Sequence, residues 1–319
     1  MEEKKEITVL SLCDGMSCGQ ITLAEEGIKV NKYFASEIKD IGIQVTKDNY
    51  PGTIHIGDLT KISYENGVLH TEVGDFETEI DMVMFGSPCQ TFSVACKTDK
   101  RIGLEDDMKS GLFLQCYRIL KEINPKFFFM ENVASMKDDD KNFITELMGV
   151  DPIKINADKV SPALRNRYYW TNLIPSEDIK TIDIKLNDIL EDGWSDRDKA
   201  HSLLVSDCRP GTTPVKMFHR YYFKGFINIV FKSKEHYKKC VEYYNNHYRG
   251  MKAKEIPIDE TDIFDGIRNF TQLETERCQC VPEGYTRCLC RNDACDVLGD
   301  GWNIEVIRHF FKELHTYGY

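Results

Sequence analysis

Residues 7–19 read Ile-Thr-Val-Leu-Ser-Leu-Cys-Asp-Gly-Met-Ser-Cys-Gly. A short, mainly apolar run typical of a buried strand is followed by a glycine-bearing turn and by a helical pattern over Gln20–Glu26. Glycines in such a turn let the backbone approach a ligand beside the N-terminus of a helix. A tight strand-to-helix turn without a ligand explains an isolated Asp-Gly-x-x-x-Gly at least as well, so the rest of the chain must decide.

The same alternation of apolar runs and helical stretches continues through the first half of the chain. It predicts an α/β fold with a doubly wound, mostly parallel sheet that has helices on both faces. The predicted strands are Ile7–Leu12, Lys32–Ser36, Thr53–Ile56, Asp81–Phe85, Phe127–Met130, Ile153–Ile155 and Tyr168–Asn172. Besides Gln20–Glu26, the predicted helices are Lys39–Asn49, Ser110–Ile123 and Lys141–Met148.

Beyond Pro175 the alternation fades into a polar, aromatic and basic region, which predicts a second lobe of mixed or irregular structure. Near the C-terminus, Asn303–Leu314 has the apolar spacing of a helix that docks on the first domain. We therefore predict a large domain of residues 1–175 plus 296–319 and a lobe of residues 176–295.

Composition excludes several classes of protein. The 319 residues are 41% hydrophobic and lack an apolar run long enough to cross a membrane. The N-terminus is charged, with no apolar signal core behind it, so we expect a cytoplasmic protein whose twelve cysteines are free thiols. The net charge of −11 argues against a protein that coats nucleic acid. Locally, however, Arg197–Glu255 holds 13 Lys or Arg against 5 Asp or Glu, a balance of +8.

Two acidic residues follow later predicted strands. Glu37 comes after the second strand and Asp58 after the third. In a doubly wound sheet, ligands lie beyond the carboxyl ends of the strands, where one carboxylate can accept from ribose hydroxyls and another from an adenine amino group. The pattern therefore favours a cofactor of the nucleoside type.

A cysteine follows the fourth strand, in Gly86-Ser87-Pro88-Cys89-Gln90. A single cysteine is most often a small buried hydrophobe. Here it lies at the ligand edge of the sheet and precedes the long polar stretch Thr91–Lys109, which we interpret as a lid. Glu131 follows the next buried strand at the same edge, and Arg165-Asn166-Arg167 supplies two cations, although an arginine pair beside a strand is more often a solvated edge.

These residues belong to a longer ordered set. Five motifs follow one another along the chain: Pro88-Cys89-Gln90, Glu131-Asn132-Val133, Arg165-x-Arg167, the run Arg268–Arg277 and Gly299-Asp300-Gly301-Trp302-Asn303. In order and spacing the set resembles the motifs of cytosine-5 DNA methyltransferases. The match looks closest to the catalytic domains of the mammalian de novo enzymes, judging by Ser11–Gly15, Ala163–Trp170 and Trp302–Phe310, without their regulatory modules.

Two positions depart from the pattern. Many bacterial members have Gln where this chain has Ala163, and the position usually held by Phe in the first motif is Cys13. Neither departure touches the reacting groups. A compact enzyme of this kind suggests a bacterial or phage origin and a role in restriction-modification.

The resemblance implies a mechanism. Cys89 adds to C6 of a flipped-out cytosine, because C5 is too weak a nucleophile to take a methyl group directly. Glu131 hydrogen-bonds the base at N3 and at its amino group. Arg165 pairs with the base carbonyl or orients Glu131, and Arg167 supports the pocket or a phosphate.

The resemblance also implies S-adenosylmethionine as cofactor and double-stranded DNA as partner. The expected cofactor residues are Cys13, Asp14, Gly15, Met16, Glu37, Ile38, Asp58, Leu59, Gly86, Pro88, Leu112, Trp302, Asn303 and Ile304. The expected DNA-binding residues are Lys97, Lys100 and Arg101 of the lid and Arg209, Lys216 and Arg220 of the lobe. The basic stretch Arg197–Glu255 interleaves its cations with Phe and Tyr residues, which is typical of a nucleic-acid groove, although most of those rings are equally suited to a small core.

Three alternatives stay open at this point. They are a tRNA cytosine-5 methyltransferase with the same motifs, a catalytically silent DNA-binding homologue, and transfer of a group larger than methyl. The cysteines at 278, 280, 288, 290 and 295 have poor spacing for zinc, so we expect no metal.

Overall fold

The computed structural model describes residues 5–87, 110–203, 213–225, 227–252, 254–257 and 261–319. The chain divides into two compact units. The first unit comprises Met1–Asn156, Asn166–Ile179 and Gly301–Tyr319, and the second comprises Ala157–Arg165 and Lys180–Asp300.

The first unit is built on a seven-stranded sheet within the described residues, with strand order β3-β2-β1-β7-β8-β10-β9. Its strands are β1 Ile7–Leu12, β2 Val30–Ser36, β3 Ile54–His55, β7 Met82–Phe85, β8 Phe127–Val133, β9 Ile153–Asn156 and β10 Asn166–Thr171. From β3 to β8 neighbouring strands are parallel, while β10 is antiparallel to both β8 and β9. The predicted mostly parallel, doubly wound sheet is confirmed.

The central strands β1 and β7 are buried along their whole length. Parallel strands covered by helices on both faces have this continuous apolar character. The helices of the first unit are α1 Cys18–Glu25, α2 Asp40–Asn49, α3 Ser110–Ile123, α4 Asp138–Met148 and α9 Ile304–Phe311. Helix α9 packs against α1, and Arg308 Nε donates to Glu26 Oε1 at 2.9 Å, so the predicted C-terminal docking helix is present.

Strand β8 is longer than the sequence predicted. It runs to Val133 and includes Glu131, whereas the predicted strand ended at Met130. The extension arises because β10 pairs with the added residues, and Tyr169 lies opposite Glu131. Glu131 therefore projects from a strand within the sheet and does not lie in a loop after it.

A small antiparallel sheet between β3 and β7 was not predicted. It consists of β4 Ser63–Glu65, β5 Val68–Thr71 and β6 Gly74–Glu77. Asn66 and Gly67 join β4 to β5 with φ of 52° and 82°. Positive φ at both central residues is what a two-residue type I′ hairpin requires, and Asn-Gly is its preferred pair.

The regular structure in the described residues of the second unit is helical and alternates with irregular stretches, where the sequence predicted mixed or irregular structure. Its α-helices are α5 Pro214–His219, α6 Lys234–His247, α7 Gln272–Gln279 and α8 Arg291–Asp300, and a π-helical turn at Arg220–Lys224 continues α5. Helix α7 begins in a capping box, in which Thr271 and Glu274 satisfy each other's backbone N–H groups.

The unit boundaries differ from the predicted ones at three short segments, one of which, residues 176–179, lies in the first unit although the sequence placed it in the lobe. Residues 157–165 and 296–300 lie in the second unit, although the sequence placed them in the first domain. Hydrogen bonds explain the first of these: Leu164 N donates to Ala200 O, and Ile182 N donates to Lys159 O. In the part of the chain that the structure describes, no helix is long and apolar enough to cross a membrane.

Candidate functional site

The carboxyl ends of β1, β2 and β3 bring three acidic residues to one edge of the sheet. Glu37 follows β2, and its two oxygens accept from backbone N–H groups: Oε2 from Gly15 at 2.8 Å, and Oε1 from Ile38 and Lys39 at 2.8 Å each. A carboxylate has about four acceptor positions. Glu37 thus fixes the turn after β1 and keeps acceptor capacity on Oε2.

Asp14 occupies the turn itself. Its Oδ1 accepts from the Tyr33 hydroxyl at 2.8 Å, and its Oδ2 accepts from the Ser17 hydroxyl. Burial raises the pKa of Asp14 to about 6, against the lowering effect of hydrogen bonds from Ser11, Ser17 and Tyr33. Asp14 therefore organises the turn from inside.

Asp58 lies at the start of the loop after β3. Its Oδ1 accepts from Thr60 N at 2.9 Å, and among the described residues no partner engages its Oδ2. Glu72, in the turn between β5 and β6, accepts from Asp58 N at 3.2 Å and forms an ion pair with Lys61. The unpredicted small sheet therefore supports the loop that carries Asp58.

This edge fits a nucleoside-type cofactor. Gly15 has a φ of +60°, and a Cβ placed there meets no atom within 4 Å, so open space adjoins the turn. The side chain of Ile38 is 73% exposed beside Glu37, an apolar surface suited to a purine face. Glu37 Oε2 and Asp58 Oδ2 are acceptors for ribose hydroxyls or an adenine amino group.

Other predicted cofactor residues lie deeper. Met16, Leu59 and Ile304 are buried in the first unit, and Asn303 is buried as the N-cap of α9, accepting from Val306 N at 3.2 Å. Their side chains stabilise the elements around the edge. Cys13 and Leu112 are partly buried and pack against the core. The hydrogen bond with Cys13, together with burial, raises the pKa of the neighbouring Cys116 thiol well above its ordinary value.

Trp302 closes one side of the end of β7. A Cβ on Gly86 would lie 2.8 Å from Trp302 Nε1, so only glycine fits there. The Trp302 backbone N–H donates to Cys18 Sγ at 3.2 Å, and its ring meets Phe129 edge-on. Gly86 and Trp302, both among the expected cofactor residues, thus lie side by side in the first unit.

The segment that leads to the predicted nucleophile is held from β8. Asn132 Nδ2 donates to Ser87 Oγ at 3.2 Å and to Ser87 O at 3.5 Å. Both residues are buried. Asn132 and Ser87 were part of quoted motifs but were not assigned a role. Pro88, Cys89 and the lid residues Lys97, Lys100 and Arg101 lie outside the described residues.

Glu131 and Arg167 form a buried ion pair. Arg167 Nε lies 2.7 Å from Glu131 Oε1, and their side chains are 13% and 9% exposed. The pair follows from the register: Tyr169 lies opposite Glu131, and Arg167, two residues away on the same face of β10, is its diagonal neighbour. Arg167 thus helps to orient Glu131, and orientation of Glu131 by Arg165, one of the two roles that the resemblance implied for Arg165, stays a prediction.

Arg165 belongs to the second unit and is buried. Its guanidinium donates to Gly299 O at 3.1 Å and to Asp300 O at 3.4 Å, at the C-terminus of α8. A cation at this position satisfies carbonyl groups that have no partner within the helix. Arg165 therefore ties residues 157–165 to the end of α8.

Several cations of the basic stretch are structural. Arg197 donates to Ile227 O and Gly225 O and covers the Tyr221 ring at 4.1 Å. Lys199 Nζ donates to three backbone carbonyls at 2.7–2.9 Å. The net positive charge counted from the sequence is therefore larger than the positive charge that faces solvent. Of the predicted DNA-binding residues in the lobe, Lys216 and Arg220 are partly exposed, and Arg209 lies outside the described residues.

Among the described residues, no group of three or more His, Cys, Asp or Glu side chains is arranged to hold a metal ion. The described cysteines are all free thiols, and Cys290 is exposed.

Comparison with known proteins adds to this geometry. Residues 7–149 match the family model described as C-5 cytosine-specific DNA methylase. This part of the chain therefore resembles a C-5 cytosine-specific DNA methylase domain. Strands β1–β8, the carboxylate edge and Glu131 fall within the matched residues, whereas Arg167 and Trp302 lie beyond them.

Two relatives and one solved structure illustrate the likeness. The chain is 35% identical over 150 residues to the type II methyltransferase M.NgoBV of Neisseria gonorrhoeae, a match that covers 47% of this chain and 32% of that protein. It is 29% identical over 204 residues to the orphan methyltransferase M.SPRI of Bacillus phage SPR, covering 59% of this chain and 43% of that protein.

The Entamoeba histolytica methyltransferase EhMeth shares the fold, with a TM-score of 0.65 at 15% identity, covering 98% of this chain and 99% of that one. Matches to the curated relatives thus span well under two thirds of their length, while the fold likeness extends over nearly the whole chain.

Proposed function

We propose that this protein transfers a methyl group from S-adenosylmethionine to C5 of a cytosine in double-stranded DNA, with Cys89 as the nucleophile. The observation that carries the proposal is the buried Glu131–Arg167 pair. Glu131 lies on β8 next to Asn132. Asn132 in turn holds Ser87, two residues before Cys89. A fixed carboxylate near the start of a cysteine-bearing segment is the arrangement that cytosine chemistry needs.

The chain's own residues divide the chemistry as follows. The Cys89 thiolate forms a bond to C6 of the ring, and the electron pair of the C5–C6 double bond moves towards C5. Glu131 hydrogen-bonds N3 and the amino group, which stabilises the ring as charge develops. After C5 has taken the methyl group, its proton leaves to solvent and the Cys89–C6 bond breaks. Arg165 as a partner of the base carbonyl stays a prediction.

The cofactor supplies an electrophilic methyl group on a sulfonium. We assign its ribose and adenine to Glu37 Oε2, Asp58 Oδ2 and the exposed side chain of Ile38, with Gly15 allowing close approach. Asp14, Met16, Leu59 and Asn303 position these elements from beneath.

A base inside a duplex cannot be attacked on one face and methylated on the other, so the target nucleotide must leave the helix. We assign the DNA contacts to Lys97, Lys100 and Arg101 and, in the second unit, to Arg209, Lys216 and Arg220. The relatives named as type II and phage methyltransferases support a role in restriction-modification in the cytoplasm of a bacterial or phage-infected cell.

The proposal is tested with unmethylated duplex DNA and labelled S-adenosylmethionine, followed by bisulfite sequencing. We expect label at C5 of cytosine in a fixed context. Cys89→Ala should abolish it, while Cys290→Ala, which removes an exposed thiol, should leave it unchanged. Transfer to tRNA but not to DNA contradicts the substrate, and binding of DNA without transfer to any nucleic acid supports a silent homologue instead.

A further inference from the structure

Two aromatic rings of the second unit are exposed in a segment that otherwise buries its rings. Phe223 is 68% exposed and Tyr222 is 40% exposed, both on the π-helical turn that continues α5. Nearby rings, including Phe218, Tyr221 and Tyr244, are buried in the core of the unit. A large exposed apolar side chain forgoes the stabilisation that burial provides, so two adjacent ones invite an explanation.

Each exposed ring is held parallel to a buried ring one helical turn earlier. Phe223 stacks on His219 with ring centroids 5.5 Å apart and planes 9° apart, and Tyr222 stacks on Phe218 at 5.4 Å and 15°. The buried His219 is fixed by a hydrogen bond with the Tyr244 hydroxyl, and the Tyr222 hydroxyl accepts from Asn245 Nδ2 at 3.3 Å. The outer faces of both rings are therefore preorganised to accept a further planar group.

The surroundings are strongly positive. Residues 213–252 contain nine Lys or Arg and two Glu, a net charge of +7 in a chain whose total is −11. Lys234, Lys238 and Lys239 are exposed on α6 beside Glu235 and Glu242. Exposed aromatic rings can stack on bases, and the surrounding cations can neutralise phosphates, so this surface is suited to nucleic acid. π-Helical turns are also frequent at functional sites.

We propose that Phe223, supported by Tyr222, stacks on an unpaired base of the bound nucleic acid and so favours DNA with a base out of the helix. The inference rests on the proposed function for its partner, and it adds a contact outside the cofactor edge and outside Glu131. Stacking on a preordered ring is sequence-tolerant, because every base presents a π-face. This stacking platform, formed by Phe223 and Tyr222, would therefore hold an opened duplex and would not select a sequence.

The test compares two fluorescein-labelled duplexes that differ by one unpaired adenine, using anisotropy without cofactor. We expect the wild-type protein to bind the bulged duplex about tenfold more tightly than the paired one. Phe223→Ala and Phe223→Leu should lose this preference, and Phe223→Trp should keep it. Leucine retains apolar surface but has no ring face, so it separates stacking from simple hydrophobic contact.

The matched control is Phe143→Ala, which removes a 41% exposed ring from α4 of the first unit and should leave the preference unchanged. A preference that survives Phe223→Leu, or that the wild-type protein lacks, overturns the inference. Methyl transfer is assayed separately. Transfer without a bulge preference refutes the platform alone, and a bulge preference without transfer refutes the proposed function alone.

Discussion

Three carboxylates share one edge of the sheet, and their surroundings give them different properties. Glu37 is held by three backbone N–H groups and Asp58 by one, whereas Asp14 is enclosed by hydroxyl groups. Backbone N–H groups stabilise an ionised carboxylate, and burial disfavours it. Residue type and position predicted that all three would lie here, but only the packing shows that burial raises the pKa of Asp14.

Asp14 predicts a pH dependence of stability. Its pKa in the folded protein is raised from 3.8 to about 6, so between these values the folded state binds a proton that the unfolded state releases. The free energy of unfolding should therefore decrease as pH rises from about 4 to about 6, by on the order of 2–3 kcal/mol from this group. Asp14→Asn should remove this component.

Urea unfolding of the wild-type protein and of Asp14→Asn between pH 4 and pH 7 measures the difference. Asp139→Asn, at an exposed position on α4, is the matched control and should follow the wild-type curve. If Asp14→Asn also follows that curve, Asp14 does not titrate as its burial requires.

The Glu131–Arg167 pair predicts a large coupling energy. Because both side chains are buried, Arg167→Ala removes the cation from beside a desolvated carboxylate and should lower the free energy of unfolding by about 3 kcal/mol. A double-mutant cycle with Glu131→Ala should give a coupling of about 2 kcal/mol or more. The solvent-exposed pair Lys141–Asp138 on α4 should give less than about 0.5 kcal/mol. Equal couplings for the two pairs would contradict the assignment of Arg167.

At the scale of elements, the apolar runs predicted the strands of the large sheet well, because a strand buried on both faces has a continuous apolar pattern. The small sheet was not predicted because β4, β5 and β6 are short and are exposed or only partly buried over most of their length. The Asn66–Gly67 pair was nevertheless an available hairpin signal. Helix α6 also has an apolar spacing in Tyr237, Cys240 and Tyr244 that indicates a helix packed on a core, and this supports the small-core alternative for the rings of the basic stretch.

The sequence did not predict the register between strands β8 and β10. The motif Arg165-x-Arg167 predicted two cations near a thiolate or a phosphate but not that Arg167 pairs with Glu131. The diagonal position of Arg167 across from Glu131 depends on how β10 aligns with β8, and Arg165 lies before β10 begins. Cys89, whose role the resemblance implied, lies outside the described residues, and its role stays a proposal.

The small sheet predicts a measurable contribution to cofactor binding. Glu72 accepts from the Asp58 backbone and pairs with Lys61, so Glu72→Gln should loosen the loop that presents Asp58. We expect the Kd for S-adenosylmethionine to rise about threefold, the size of one partly exposed hydrogen bond, with kcat at saturating cofactor unchanged. Calorimetric titration measures the first and labelled-methyl assays the second. Glu77→Gln on the same sheet should change neither, and an unchanged Kd in Glu72→Gln would show that the sheet does not support the loop.

At the scale of the whole molecule, an acidic chain that is proposed to bind DNA must concentrate its positive charge. The second unit does so, although Arg197 and Lys199 use their charges on backbone carbonyls of that unit. The exposed lysines of α6 are among the cations that remain available to phosphates. The position of the lysines, and not the net charge of the protein, should therefore control its affinity for DNA.

This distinction is tested by the salt dependence of DNA binding. Each phosphate contact contributes about −0.9 to the slope of log K against log salt concentration. Replacing Lys234, Lys238 and Lys239 by Gln should make the slope shallower by up to about 2.7. Replacing Lys29, Lys47 and Lys121, which are exposed on the first unit, changes the net charge equally and should leave the slope unaltered. Equal effects of the two triple variants would mean that DNA responds to the overall field of the protein, and the second unit would then lose its assignment as the DNA-facing part of the chain.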